Sequence, residues 1–182
     1  MKKSDIRWAI RIVVFSVVLA TVFTLLSTAA LEGAGYILSF AILLFLIVIG
    51  ILFDMVGVAV TAADETPFHS MAANKGLGGK EAIKLIKNAD RVSNICNDVV
   101  GDITGIISGV IMAVLATRLV TDFDLPSMLI HLLVSGFVVG LTIGGKALGK
   151  GAAIRGSTGI VHVTALAIYR VGWLWRKITG RK

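Results

Sequence analysis

Cysteine is nearly absent from this 182-residue chain, and the lone Cys96 rules out an intramolecular disulfide and any cysteine-rich zinc cluster. The redox compartment is left open by it. Histidine is limited to three residues, and no nucleophile, base and orienting group can be assembled from the inventory, which argues against an enzyme. Aromatic residues make up only 7% and do not interleave with the basic ones. Although the formal charge is +7, lysine and arginine stand between long apolar runs instead of forming a patch, so no nucleic-acid partner is expected. Proline occurs twice, as Pro67 and Pro126, each where a helix is expected to begin.

Apolar residues are abundant instead: 56% of the chain, with a mean hydropathy of +0.90, more than a soluble domain of this size carries. Much of that surface must face lipid. A helix needs about 20 mostly apolar residues to span about 30 Å of hydrocarbon. Stretches at about 12–30, 37–63, 99–117 and 128–148 meet that length, and the second exceeds it, so it should tilt or extend past the interface. The start, Met1-Lys2-Lys3 followed by an apolar run and Ser27-Thr28-Ala29-Ala30, has the outline of a signal peptide. Its apolar run is too long for one, and the segment reads as a retained helix. The expectation is an all-α membrane protein, a single transmembrane domain over 1–182 with four transmembrane helices and cytosolic interfacial helices.

Cationic loops stay on the cytosolic side of a membrane. Lys2, Lys3, Arg7 and Arg11 precede the first span, Lys75, Lys80, Lys84, Lys87 and Arg91 lie between the second and third, and Lys146 to Lys182 close the chain with eight more. The opposite side receives the turn around Glu32 and the segment 118–125, where Arg118 is the only basic residue beside Asp122 and Asp124. Both termini are therefore expected in the cytosol, with the chain in the inner or plasma membrane. The cytosolic loop 64–98 should be ordered: Thr66-Pro67 marks a helix start, and Lys80 to Arg91 reads as a helix with Ile83 and Ile86 on one side and Lys80, Lys84, Lys87 and Arg91 on the other. That pattern suits either a helix at an anionic lipid surface or a solvated charged face. The run 158–177, carrying Trp173 and Trp175, is expected to lie on the cytosolic face as a juxtamembrane helix.

Gly101, Gly105 and Gly109 on the third span, and Gly136, Gly140 and Gly144 on the fourth, form small-xxx-small lines that let helices approach closely, either spans three and four or two protomers. Gly144 to Gly151 superficially has phosphate-loop spacing, but Gly151 stands where a Ser or Thr is required and no strand precedes it. His131 and Cys96 read as packed or interfacial residues.

The acids carry more information. Asp54 lies well inside the second span, and Asp98 and Asp102 stand one turn apart at the start of the third, on a face shared with Asn94 and close to Asn97. A carboxylate at mid-helix costs about 2.5–3.5 kcal/mol to insert, so such residues normally face a cavity, a partner or an ion. Carboxylate and amide oxygens suit a hard cation such as Mg²⁺. The bland alternatives are a helix N-terminus for Asp98 and a protonated, hydrogen-bonded Asp54.

The segments Ala59-Val60-Thr61-Ala62, Met71-Ala72-Ala73-Asn74-Lys75-Gly76 and Glu81 to Arg91, the last ending Asn88-Ala89-Asp90-Arg91, are followed by Gly144-Gly145-Lys146-Ala147-Leu148-Gly149 and Ala153-Ile154-Arg155-Gly156-Ser157. In order and spacing, over about residues 37–175, they resemble the transmembrane domain of the cyclin M / CorB–CorC magnesium transporter family. The resemblance implies a homodimer that moves Mg²⁺, with Co²⁺ as a second ion, across the membrane. That family's serine-glutamate pair would fall near Val56-Gly57 and its asparagine pair near Gly101-Asp102-Ile103, while Thr142 and Gly145 replace its later glutamate and proline. A cation site is then expected to be rebuilt with Asp54, Asp98 and Asp102, alongside Asn94 and Asn97. The family's nucleotide-sensing domains have no counterpart in these residues, so ATP-linked regulation is not expected of them. The rival expectation is a non-transporting membrane adaptor whose basic surfaces bind anionic lipid or a partner subunit.

Overall fold

The structure is a computed structural model and describes residues 3–31, 33 and 35–178. The charge-rule residues Lys2, Arg181 and Lys182 and the turn at Glu32 lie outside the described residues, as do the side chains of Lys3, Arg7, Arg176 and Lys177. The helices are α1 (Lys3–Leu31), α2 (Tyr36–Ala62), α3 (Thr66–Ala73), α4 (Gly79–Lys87), α5 (Ala89–Asn94), a π-helical segment (Ile95–Gly101), α6 (Asp102–Phe123), α7 (Ser127–Arg155) and α8 (Ser157–Ile178). No strand occurs among the described residues. Three continuous helical runs are long and apolar enough to cross a membrane: Tyr36–Ala62, Ala89–Phe123 and Ser127–Arg155; a shorter apolar stretch covers Ile10–Val22. The protein is thus an all-α membrane protein. At a rise of 1.5 Å per residue, the 27 residues of α2 reach about 40 Å, more than the hydrocarbon thickness.

Two compact units divide the chain, the first formed by Met1–Ile51 and Val99–Gly145 and the second by Leu52–Asp98 and Lys146–Lys182. In the first, Leu43, Leu46 and Ile47 of α2 share a face by their i, i+3, i+4 spacing. They pack with Val99, Ile103, Ile107, Ile111 and Leu115, which recur every fourth residue along the helix through α6, and with Val138 of α7. Ile12, Leu19 and Ala20 of α1 cover part of this core. Gly50 and Gly145 permit the closest approaches: a Cβ on Gly50 would meet Thr104 Oγ1 at 2.7 Å, and one on Gly145 would run into the Ile51 side chain. By contrast, Gly105, Gly109, Gly136, Gly140 and Gly144 have nothing within 4 Å of where a Cβ would stand. The glycine lines therefore do not clamp spans three and four together; that reading is corrected, because the interdigitating residues on this side are branched side chains.

The second unit is built on small residues. Ala59, Val60, Phe68, Ala82, Ala153, Val161 and Ala165 form its buried core. Helix α3 opens at Thr66 with Pro67 in its first turn, and the Asp64 carboxylate accepts hydrogen bonds from the Thr66 amide (3.1 Å) and hydroxyl (3.0 Å). Gly79 sits so close to α3 that a Cβ would stand 2.9 Å from the Ala72 amide nitrogen. The helix expected from Lys80 to Arg91 is interrupted at Asn88, whose side-chain amide donates to the Lys84 carbonyl at 2.8 Å and ends α4. Ile83 and Ile86 pack against the unit's own core, leaving Lys80, Lys84, Lys87 and Arg91 exposed. Trp173 and Trp175 are exposed on α8.

Candidate cation site

Asp54 is the conspicuous residue of the second unit. It stands on α2, itself a membrane-length apolar helix, and is only 4% exposed. A buried carboxylate without compensation is costly, and here compensation comes from α7: Lys150 Nζ lies 3.9 Å from Asp54 Oδ2. The distance is too long for a hydrogen bond, and Oδ2 has no hydrogen-bond partner at all. Charge is balanced there while hydrogen-bonding capacity is not.

One turn further along the same face of α2 lies Gly57. Its missing side chain leaves room for the Asn97 amide group, whose Oδ1 is the atom nearest to it: a Cβ at Gly57 would run into Oδ1 and stand 2.9 Å from Asn97 Cγ and 3.1 Å from Nδ2. Asn97 belongs to the π-helical segment Ile95–Gly101. A π turn inserts an extra residue and re-aims the side chains it carries, which is why such turns concentrate at functional sites. The Asn97 Nδ2 donates to Ser93 Oγ at 3.2 Å, which fixes the amide's orientation. Asn97 Oδ1 is buried and has no partner. One unsatisfied oxygen thus belongs to Asp54 and the other to the amide that packs on Gly57, a turn further along α2, whereas buried polar groups are normally paired.

Comparison of the whole chain with protein-family models, characterised proteins and solved structures gives no match. The site must be judged on its chemistry.

Of the five residues expected as ligands, Asp54 stands on α2 and Asn97 packs against the same helix at Gly57, three residues further along. Asn94, Asp98 and Asp102 are exposed. Among the described residues no group of three or more His, Cys, Asp or Glu side chains is placed to hold a metal ion, so any site here draws on one carboxylate and an amide. Lys150 was missed as a site residue because in sequence it reads only as one of the basic residues that close the chain. No spacing pattern ties it to Asp54. The fit of Asn97 to Gly57 was equally hidden, since a glycine announces nothing about what fills its vacancy. An apolar cavity of about 530 Å³ in the first unit is lined by residues such as Phe40, Leu115, Leu133 and Phe137, with Tyr36 its only polar one. It offers no carboxylate and is unsuited to a cation.

Proposed function

We propose that this protein carries a divalent cation, Mg²⁺ above all, across the cell membrane, with Asp54 and Asn97 as ligands at a site reached from the cytosol. The observation that carries the reading is the pair of buried oxygens without hydrogen-bond partners, Asp54 Oδ2 and Asn97 Oδ1. Mg²⁺ takes oxygen ligands, usually keeps several waters and is held by one or two protein carboxylates, so a carboxylate and an amide with water completing the shell suffice. The sequence resemblance to the cyclin M / CorB–CorC transmembrane domain supports the same class of cargo, with Co²⁺ as a second ion.

In this reading α1 is the first of four spans, and the basic segments containing Lys75 to Arg91 and Lys146 to Arg155 lie in the cytosol with both termini. The uncovered glycines of α6 and α7 fit a homodimer in which these lines meet their counterparts. The test is Mg²⁺ flux into liposomes containing purified protein, with Asp54→Asn alongside. Flux in the wild type and its loss in a folded Asp54→Asn variant are expected. No flux above empty vesicles, with folding verified, would sink the proposal.

A second reading rests on the exposed row Lys80, Lys84, Lys87 and Arg91 together with exposed Trp173 and Trp175. It is a non-transporting adaptor docking on anionic lipid or a partner subunit. For an adaptor, Asp54→Asn leaves partner or lipid binding unchanged and no cation dependence exists to be lost.

A further inference from the structure

The 3.9 Å contact between Lys150 and Asp54 is asymmetric. The Asp54 side chain is 6% exposed and the Lys150 side chain 53% exposed, so an enclosed carboxylate is approached by an ammonium that remains largely in contact with the surroundings. Lys150 hangs on a flexible four-carbon stem, and Gly149 and Gly151 on either side put no neighbouring side chain against it. Among the described residues its one polar contact is Asp54, at a distance that leaves Asp54 Oδ2 without a hydrogen bond. A pair held by charge alone, with one member free to swing outward, is built to open.

Resting on the cation reading of Asp54 and Asn97, we infer that Lys150 is a tethered competitor for the cation, occupying the place at Asp54 until a divalent ion displaces it. With the ammonium in place, the carboxylate has a charged partner without an ion. When a divalent cation arrives, its +2 and the ammonium repel at a few ångströms in a low dielectric, and the lysine, being the mobile partner, leaves. Binding is an exchange of one tethered positive charge for a doubly charged ion. The exchange selects against monovalent cations, which gain no charge advantage over the ammonium they must replace. It also gives the empty site a neutral state.

The apparent affinity of a site that is open for only a fraction of the time falls by that fraction. If the ammonium is in place about nine-tenths of the time, removing it tightens binding on the order of tenfold. The experiment uses the full chain in nanodiscs, with Mn²⁺ as an EPR-visible probe and Mg²⁺ in competition, for wild type, Lys150→Met, Lys150→Arg and Asp54→Asn. Expected are tighter Mn²⁺ binding in Lys150→Met by several-fold to tenfold, no such gain in Lys150→Arg, which retains a cation, and loss in Asp54→Asn. In the wild type, saturating Mg²⁺ should also raise the rate at which Lys150 is reductively methylated, a readout that needs no variant to fold. If Asp54→Asn abolishes binding while Lys150→Met binds no more tightly and methylation of Lys150 ignores Mg²⁺, the competitor is refuted and the cation site stands. If Asp54→Asn binds Mn²⁺ like the wild type, the cation reading falls and takes the competitor with it.

Discussion

Gly57→Ala separates ligand chemistry from stability more cleanly than any change of the ligands themselves. The added Cβ would overlap the Asn97 amide group, with Cγ at 2.9 Å and Nδ2 at 3.1 Å. Helix α2 cannot withdraw, because Ala59 and Val60 just beyond are almost wholly buried. The Asn97 side chain must therefore swing away, and its hydrogen bond to Ser93 Oγ is strained or lost at about 1 kcal/mol. Replacing a helical glycine by alanine returns a similar amount, about 0.8–1 kcal/mol, by reducing backbone freedom in the unfolded chain. The two nearly cancel, so thermal unfolding should move by no more than the equivalent of about 1 kcal/mol. Cation binding should weaken by about tenfold, the equivalent of about 1.4 kcal/mol for one misplaced oxygen ligand. The assay is Mn²⁺ titration by EPR beside a thermal melt in the same detergent. Wild-type affinity in a variant of wild-type stability would refute Asn97 as a ligand, and with it the argument from its unsatisfied oxygen.

Gly79→Ala should behave in the opposite way. Its Cβ would face backbone, the Ala72 nitrogen at 2.9 Å and Cα at 3.1 Å, so α3 and α4 must separate at a cost of about 1–3 kcal/mol, seen as a lower melting temperature without a direct loss of ligands. The hydrogen bonds from Thr66 hold the Asp64 carboxyl below the usual carboxylate range. A carboxyl whose folded pKa is lowered stabilises above its unfolded value, about 3.9, and that contribution is lost as pH falls through the lower folded value. Hydrogen exchange of the Thr66 amide should accordingly gain relative to its neighbours only under strong acid, and Asp64→Ala should remove that pH dependence. Gly140→Leu, on a line with open space around it, should leave the melting temperature of the monomer unchanged but reduce dimer content by single-molecule photobleaching in nanodiscs. Unaltered dimer content would show that the glycine line faces lipid.

Much of the architecture was legible because it depends on local chemistry. Apolar runs longer than a membrane is thick become helices, since in lipid every backbone group must find its partner within the segment. The start at Thr66-Pro67 follows from proline's missing N–H and fixed φ. The interruption at Asn88 was not foreseen, because whether an asparagine bonds back to a carbonyl four residues earlier or points to solvent is settled by its rotamer. Of the two neighbours open to the glycine lines, spans three and four of one chain are not brought together along them, since small residues state how near a helix can come and not which one does.

For the site the division is sharper. A carboxylate inside an apolar helix is conspicuous from the sequence alone, and Asp54 is one. Its company is not conspicuous there: Lys150 arrives from the end of α7, and Asn97 is aimed by a π turn into the gap at Gly57. Those juxtapositions join segments far apart in the chain, and they arise from how small buried residues such as Ala59, Ala153 and Ala165 let helices close on one another. A linear pattern records which groups are costly to bury in oil; the partner that relieves each one is chosen by packing in three dimensions.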